Sequence, residues 1–496
     1  MLGRLLHRPW VILVLALIIH TTLFFAMQRD LAAADPLWYA TWAHKLAFHA
    51  SELFASHNTY PFVMRLGLTG PIALMYRLFG VSTFATNLPC LLAGLGIVMI
   101  AYGAPSTARG KVLGVVFAML CTPLLVDAHE LNPDLPCAAA MAASILFLSR
   151  RDRPRGAWWV VGAVVAWFTA FQIKEAAVWC APVWICAVIS DVREHGLRWA
   201  ARVFAPAVGI GFGLAAGYLV FCALLWGDPL ARFRGINDAS STHEWSLVGQ
   251  PGAAWIARLT WQPALLLYRM FRVMLVSVLV SPWLVQRRDR IWIVATAAII
   301  LLYWFGSSTG ASYLPLPILR RMMLPAAPGI IVVMALVTDA AIDRVRGVRW
   351  RVGAGAVLGL LLLVPHVQSL ARNIAETDRP ESAAYAALRA EVASTRELVV
   401  LVCGDPRCPP ISGFHFGFEP PGNLVVVTAA AFATAPLPEH ARVRLITHMT
   451  RAGGVAKDIA RRADALALPQ ITSHPQIRLY DGGDGARLHD ALAGPS

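Results

Sequence analysis

Charge is what this 496-residue chain has least of: 15% of its residues are Asp, Glu, Lys or Arg, against 57% hydrophobic. A soluble globular chain carries about 25% charge, so the deficit excludes an ordinary water-exposed surface and points to a membrane. Acid is scarcer than base, 29 residues against 43, which leaves a net charge of +14. That excess forms no arginine stripe interleaved with exposed aromatics, so no nucleic-acid partner is expected. It lies instead in short loops between long apolar runs. Lysine is almost missing, which makes Lys174, placed between two such runs, conspicuous. Internal repeats and low-complexity tracts are absent as well. Ionisable residues inside the runs are few, and both absences count against a proton-coupled transporter built on inverted repeats.

What is present are apolar runs of about 16–24 residues, long enough to span a bilayer. They fall near 9–27, 84–103, 112–127, 134–149, 157–173, 176–190, 203–226, 265–285, 291–305, 322–338 and 352–369. The run 9–27 reads as an uncleaved first helix rather than a signal peptide, although Ala32, Ala33 and Ala34 resemble a cleavage site. Cys90, Cys121, Cys137, Cys180, Cys186 and Cys222 lie in the runs and read as packed small hydrophobes. Cys403 and Cys408 lie in a polar segment, where a disulfide suits an oxidising compartment.

Positive charge sets orientation. With the N-terminus inside, Arg4 and Arg8, Arg109 and Lys111, Arg150 to Arg155, Arg193 to Arg202, Arg287 to Arg290 and Arg344 to Arg351 all fall on the cytoplasmic side. The stretch 63–80 breaks the count, because Arg65 and Arg77 bracket too few apolar residues to cross. It is expected to lie in the outer interface as an amphipathic or re-entrant helix. The outer side then holds a first loop (28–83), a loop at 227–262, a short loop at 306–321 and a polar C-terminal segment. That segment predicts a helix at 381–395, strands at 397–403, 423–428 and 442–447, a helix at 453–466 and a strand at 476–480. The fold class is therefore an all-α polytopic membrane bundle of about eleven transmembrane helices (1–370) carrying a small α/β extracytoplasmic domain (371–496).

The out-of-place charges gather at the outer ends of the runs: Asp35, Arg65, Asp127, Glu130, Asp134, Lys174, Glu175, Arg269, Arg272, Arg320 and Arg321. Such a ring suits a substrate with an apolar tail and an anionic head. Sugar transfer from a lipid phosphate needs a carboxylate to take the acceptor's proton and cations to stabilise the leaving phosphate. Asp35, beside Trp38, Tyr39 and Trp42, and Asp134 are the candidate carboxylates. Each charge also has a plainer structural role: Asp134 as a helix N-cap, Lys174 with Glu175 as a local ion pair, Arg269 and Arg272 as snorkelling residues one helical turn apart. Trp226, Trp245, Trp255 and Trp261 read as an interfacial belt. His129, Glu130 and Asp134 carry metal-ligand atoms in no strong metal spacing, so no metal ligands are assigned and a divalent metal stays open.

Several short motifs occur in order. DPLWYATWAHKL places Asp35, Tyr39, Ala43 and Leu46 at helical spacing; Arg65, Pro71 and Leu78-Phe79-Gly80 follow. NPDLP opens the fourth run with Asp134, Lys174 separates the fifth and sixth, and RRMMLPAAPG carries Arg320, Arg321, Pro325 and Pro328. In layout and motif order the chain resembles the GT-C glycosyltransferase superfamily, in its family-39-like branch of protein O-mannosyltransferases and lipid A aminoarabinose transferases. It departs where that branch has a second acid, here Pro36, and an arginine opening the second span, here Asn87.

The resemblance implies a helical bundle in the bacterial inner membrane with a periplasmic cavity and a periplasmic C-terminal domain. It implies sugar transfer from a polyprenyl-phosphate donor to a lipid, glycan or protein acceptor, with inversion. Asp35 would be the base and Asp134 would support a sugar. Tyr39, Arg65, Lys174, Glu175, Arg269, Arg272, Arg320 and Arg321 would bind substrate. The alternative from another class is a transporter or flippase of an amphipathic lipid-linked anion, without bond chemistry.

Overall fold

A computed structural model of the chain describes residues 8–28, 31, 35–55, 61–241, 252–307, 315–316, 319–345, 347–375, 380–404, 408–434, 441–448, 454–474, 477–483 and 485–493. Ala32 to Ala34, Trp245, part of the 227–262 loop, the linker at 376–379 and His440 lie outside the described residues. The chain divides into two compact units. One comprises Met1–Gln28, His49–Ile72 and Asn87–Glu376; the other comprises Arg29–Phe48, Ala73–Thr86 and Thr377–Ser496.

The first unit is a helical bundle, as the apolar runs predict. Among the described residues, seven helices are long and apolar enough to cross a membrane, and a bent pair, Trp261–Phe271 with Val273–Leu284, makes an eighth. The remaining apolar runs fold as the shorter helices Ala108–Leu120 with Thr122–Asp127, Asp134–Leu148 and Arg290–Phe305. Composition separates two kinds of helix. Leu197–Trp226 leaves Val208, Phe212, Val220 and Leu224 exposed, which is stable only where the solvent is lipid. Ala327–Arg344 is buried on all sides from Ala327 to Val337, with Ile330, Ile331, Val332 and Val333 at 0% exposure, and forms the centre of the bundle. Gly329 permits this: a Cβ there would lie 2.2 Å from Thr296 Oγ1, so only glycine allows the approach. The chain is thus a multi-pass membrane protein.

Two expectations change. The run 265–285 is not one straight span but is bent by 102° between Phe271 and Val273. Arg272 sits at the break with φ 48, a conformation uncommon for a residue with a side chain. Trp226 is not an interfacial anchor: it is 6% exposed and packs edge-on against Phe54 and Phe221.

In the second unit, helix Asp35–Phe48 buries Leu37, Tyr39, Ala40, Ala43, His44 and Ala47, a stripe at helical spacing. Arg77 Nε donates to the Ala47 carbonyl at 2.8 Å, near the helix C-terminus where carbonyls lack partners. The sheet has the order β2-β1-β3-β5-β4, with β1 (Val399–Cys403) parallel to both β2 (Leu424–Thr428) and β3 (Arg442–His448). β5 (Ile477–Asp481) pairs antiparallel with β3 and with β4 (Gln470–His474). VVLVC in β1 is buried at every position, as a strand covered on both faces requires. Arg444 is itself buried; it anchors helix Pro380–Ser394 to the sheet through Glu391 and ties β3 to β5 through Asp481. Cys403 is disulfide-bonded; the side chain of Cys408, its expected partner, lies outside the described residues.

Candidate functional site

Helix Gly156–Ile173 stops at Lys174, whose backbone is extended, and a 3-10 turn from Glu175 to Cys180 follows. The expected break is there, but Lys174 and Glu175 do not pair with each other. The extended backbone sends successive side chains in opposite directions. Lys174 Nζ donates to Asp134 Oδ1 at 2.5 Å. Asp134 is 1% exposed, and its Oδ2 has no partner among the described residues. Nor does Asp134 serve as the N-cap. Asn132 Oδ1 accepts from the Leu135 backbone N–H at 2.9 Å, and Asn132 Nδ2 ties down the Asp127 carbonyl at 2.9 Å. In the NPD motif the asparagine caps, which leaves the aspartate for Lys174.

Glu175 faces two guanidinium groups. Arg65 Nη2 donates to Oε2 at 2.8 Å, and Arg232 donates to Oε1 from Nε at 3.2 Å and Nη2 at 3.0 Å. Two cations on one carboxylate leave the group with surplus positive charge. Sequence reasoning missed Arg232, which is 1% exposed. Its guanidinium lies 4.5 Å from the Phe171 ring centroid and donates to the Phe171 carbonyl at 2.5 Å. The signal was an arginine set among Leu230, Ala231 and Phe233, which favour burial of its stem.

A second group surrounds a cavity of about 270 Å³. Arg269, Arg272 and Arg320 line it together with Thr122, His366 and Ser369, and Leu266, Leu361 and Leu362 supply apolar wall. The bend at Arg272 replaces the expected helical turn, and both Arg269 and Arg272 reach this cavity. Arg320 Nη2 is 3.5 Å from Asp127 Oδ2, so one acid offsets part of the positive charge. Arg321 is not among the lining residues. His366 and Thr122 were not singled out from sequence; His366 Nδ1 and Thr122 Oγ1 are 2.9 Å apart. A histidine within PHVQS inside an apolar helix was the available clue.

Asp35 and Tyr39 belong to the second unit. Asp35 is half-buried at the first position of its helix, and Tyr39 is fully buried.

Residues 71–221 match the model of the dolichyl-phosphate-mannose-protein mannosyltransferase family. The structure of ArnT from Cupriavidus metallidurans in the apo state superposes with a TM-score of 0.60 at 13% identity, covering 98% of this chain and 99% of that one. The chain has the GT-C fold. The same ArnT bound to undecaprenyl phosphate gives a TM-score of 0.54 at 14% identity over the same shares of both chains. No curated protein matches the chain by sequence. The family match over residues 71–221, on an ArnT-like fold extending through the whole chain, indicates a membrane glycosyltransferase.

Proposed function

We propose that the protein transfers a sugar from a polyprenyl-phosphate-linked donor to an acceptor at the periplasmic face of the bacterial inner membrane. The observation that carries this reading is the cavity lined by Arg269, Arg272 and Arg320 together with Leu266, Leu361 and Leu362. An anionic head on an apolar tail matches such a mixed lining, and guanidinium groups bind phosphate by paired N–H donors. The undecaprenyl phosphate bound to the similarly folded ArnT supports the same donor class.

Asp35 takes the proton of the acceptor hydroxyl, the oxygen attacks the anomeric carbon, and the bond from that carbon to the phosphate oxygen breaks. The lipid phosphate leaves with the electron pair, stabilised by the cavity arginines. Asp134, steadied by Lys174, offers Oδ2 to a sugar hydroxyl. Arg65 and Glu175, with Arg232, bind substrate as a group with surplus positive charge, and Tyr39 anchors the helix that presents Asp35. Arg321 adds positive charge beside Arg320.

The purified protein in lipid nanodiscs is expected to bind undecaprenyl phosphate, and Arg269→Ala to weaken that binding by about tenfold or more. Given a sugar-linked undecaprenyl phosphate and an acceptor, it should release free undecaprenyl phosphate. Binding without release is the result a transporter would give and would overturn the reading. Orientation has its own check. A reporter fused at Ser496 should be active only as a periplasmic type; cytoplasmic activity would reverse the assigned faces.

A further inference from the structure

A second buried arginine has no part in the steps above. Arg258, on helix Gly252–Leu259, is 3% exposed. Its Nε donates to the Leu316 carbonyl at 2.8 Å, Nη1 to Trp304 at 2.9 Å and Nη2 to Tyr303 at 3.0 Å. Tyr303 and Trp304 stand in the last turn of helix Arg290–Phe305, where carbonyls have no intrahelical donor. A cation at a helix C-terminus is also favoured by the helix dipole. Trp304 Nε1 returns a bond to the Leu259 carbonyl at 2.8 Å. Arg258 therefore clamps its own helix, the end of helix Arg290–Phe305 and Leu316 at one point.

Tyr303 carries this clamp toward the cavity. Its backbone carbonyl is held by Arg258, and its ring centroid lies 5.6 Å from the guanidinium. At the other end of the fully buried ring, the hydroxyl accepts from the Leu319 N–H at 3.2 Å and is 3.4 Å from the Leu319 carbonyl, to which it donates. Leu319 immediately precedes the 3-10 turn Arg320–Ala326, whose first residue lines the cavity. The hydroxyl thus fixes the backbone from which the Arg320 side chain starts. A long arginine side chain has many rotamers, so a defined phosphate contact depends on a defined starting point.

We propose that Arg258 and Tyr303 are positioning residues: they hold the backbone at Leu319 so that Arg320 meets the phosphate of the lipid donor. The proposal rests on the reading of the cavity as the donor site.

Undecaprenyl phosphate binding to the full-length protein in phosphatidylethanolamine–phosphatidylglycerol nanodiscs tests both levels, with a thermal melt on each variant. Tyr303→Phe keeps the ring and removes only the hydroxyl. It is expected to weaken binding by about three- to tenfold, as the hydroxyl's two bonds to Leu319 are lost, with the protein still folded in the melt. The donor KM should rise in step while kcat at saturating donor holds. Arg258→Lys keeps the charge but loses the three-way fork, and should behave like Tyr303→Phe even if Arg258→Ala fails to fold. In an Arg320→Ala background, Tyr303→Phe should cost nothing further, because its effect passes through Arg320. Unaltered binding in Tyr303→Phe, or full additivity with Arg320→Ala, would overturn the positioning role while leaving the cavity reading intact. Unaltered binding in Arg320→Ala would instead remove Arg320 from the donor site and the positioning role with it.

Discussion

Asp35→Asn is expected to lower sugar transfer by about 100-fold or more, with little change in thermal stability. The substitution keeps nearly the same volume and removes the charge. Asp35 is the first residue of helix Asp35–Phe48, where the helix dipole favours an ionised carboxylate. The helix is anchored along its length by other residues. Tyr39, Ala40 and Ala43 are each 0% exposed, and the Ala47 carbonyl is held by Arg77 at the far end. The dipole interaction that the substitution removes is worth about 0.3–1 kcal/mol. The measurement is transfer from a sugar-linked undecaprenyl phosphate to the native acceptor, paired with a melt of the same preparation. Asp35→Glu separates charge from reach: it should retain more activity than Asp35→Asn. Wild-type turnover in a folded Asp35→Asn protein would place the base elsewhere.

The elements were legible in the sequence where a single physical rule decides them. Apolar length marked the helices, and the run 134–149 appears as Asp134–Leu148. Alternation and branched residues marked β1, β2, β3 and β5, whereas QITSH, polar and half-apolar, gave no comparable signal for β4. Short helices such as Cys408–His415 and Ala429–Thr434 were missed because two turns carry too little periodicity to read. The bend at Arg272 was invisible because neither Gly nor Pro marks it, although Arg272 takes φ 48 there.

The candidate site divides along the same line. Which charges were out of place was readable, since an arginine at the end of an apolar run stands out. Which charge faces which was not. Lys174 and Glu175 are neighbours in sequence, yet an extended backbone at Lys174 sends one to Asp134 and the other to Arg65 and Arg232. The pairing spans 40 residues in one case and 110 in another, beyond the reach of any local rule.

Lys174 and Asp134 form the pair whose loss should be most damaging to the bundle. Asp134 is 1% exposed and the Lys174 side chain 12%, so each charge is desolvated and held by the other. Removing one partner strands the remaining charge in a low-dielectric interior, at a cost of about 3–5 kcal/mol. Lys174→Met and Asp134→Leu are each expected to lower the melting temperature sharply or to prevent folding. The double variant Lys174→Met/Asp134→Leu strands nothing, because both charges go together and apolar side chains of similar size replace them. Its stability should return close to wild type, a coupling read directly from the double-mutant cycle. Activity then separates structure from chemistry. If Asp134 Oδ2 accepts a sugar hydroxyl, the refolded double variant binds undecaprenyl phosphate normally, since the cavity arginines are untouched, yet transfers sugar about tenfold more slowly or worse. Full transfer by a stable double variant would make the pair purely structural. A double variant no more stable than the single ones would mean that packing around Lys174, rather than charge pairing, holds the turn between helices Gly156–Ile173 and Ala181–His195.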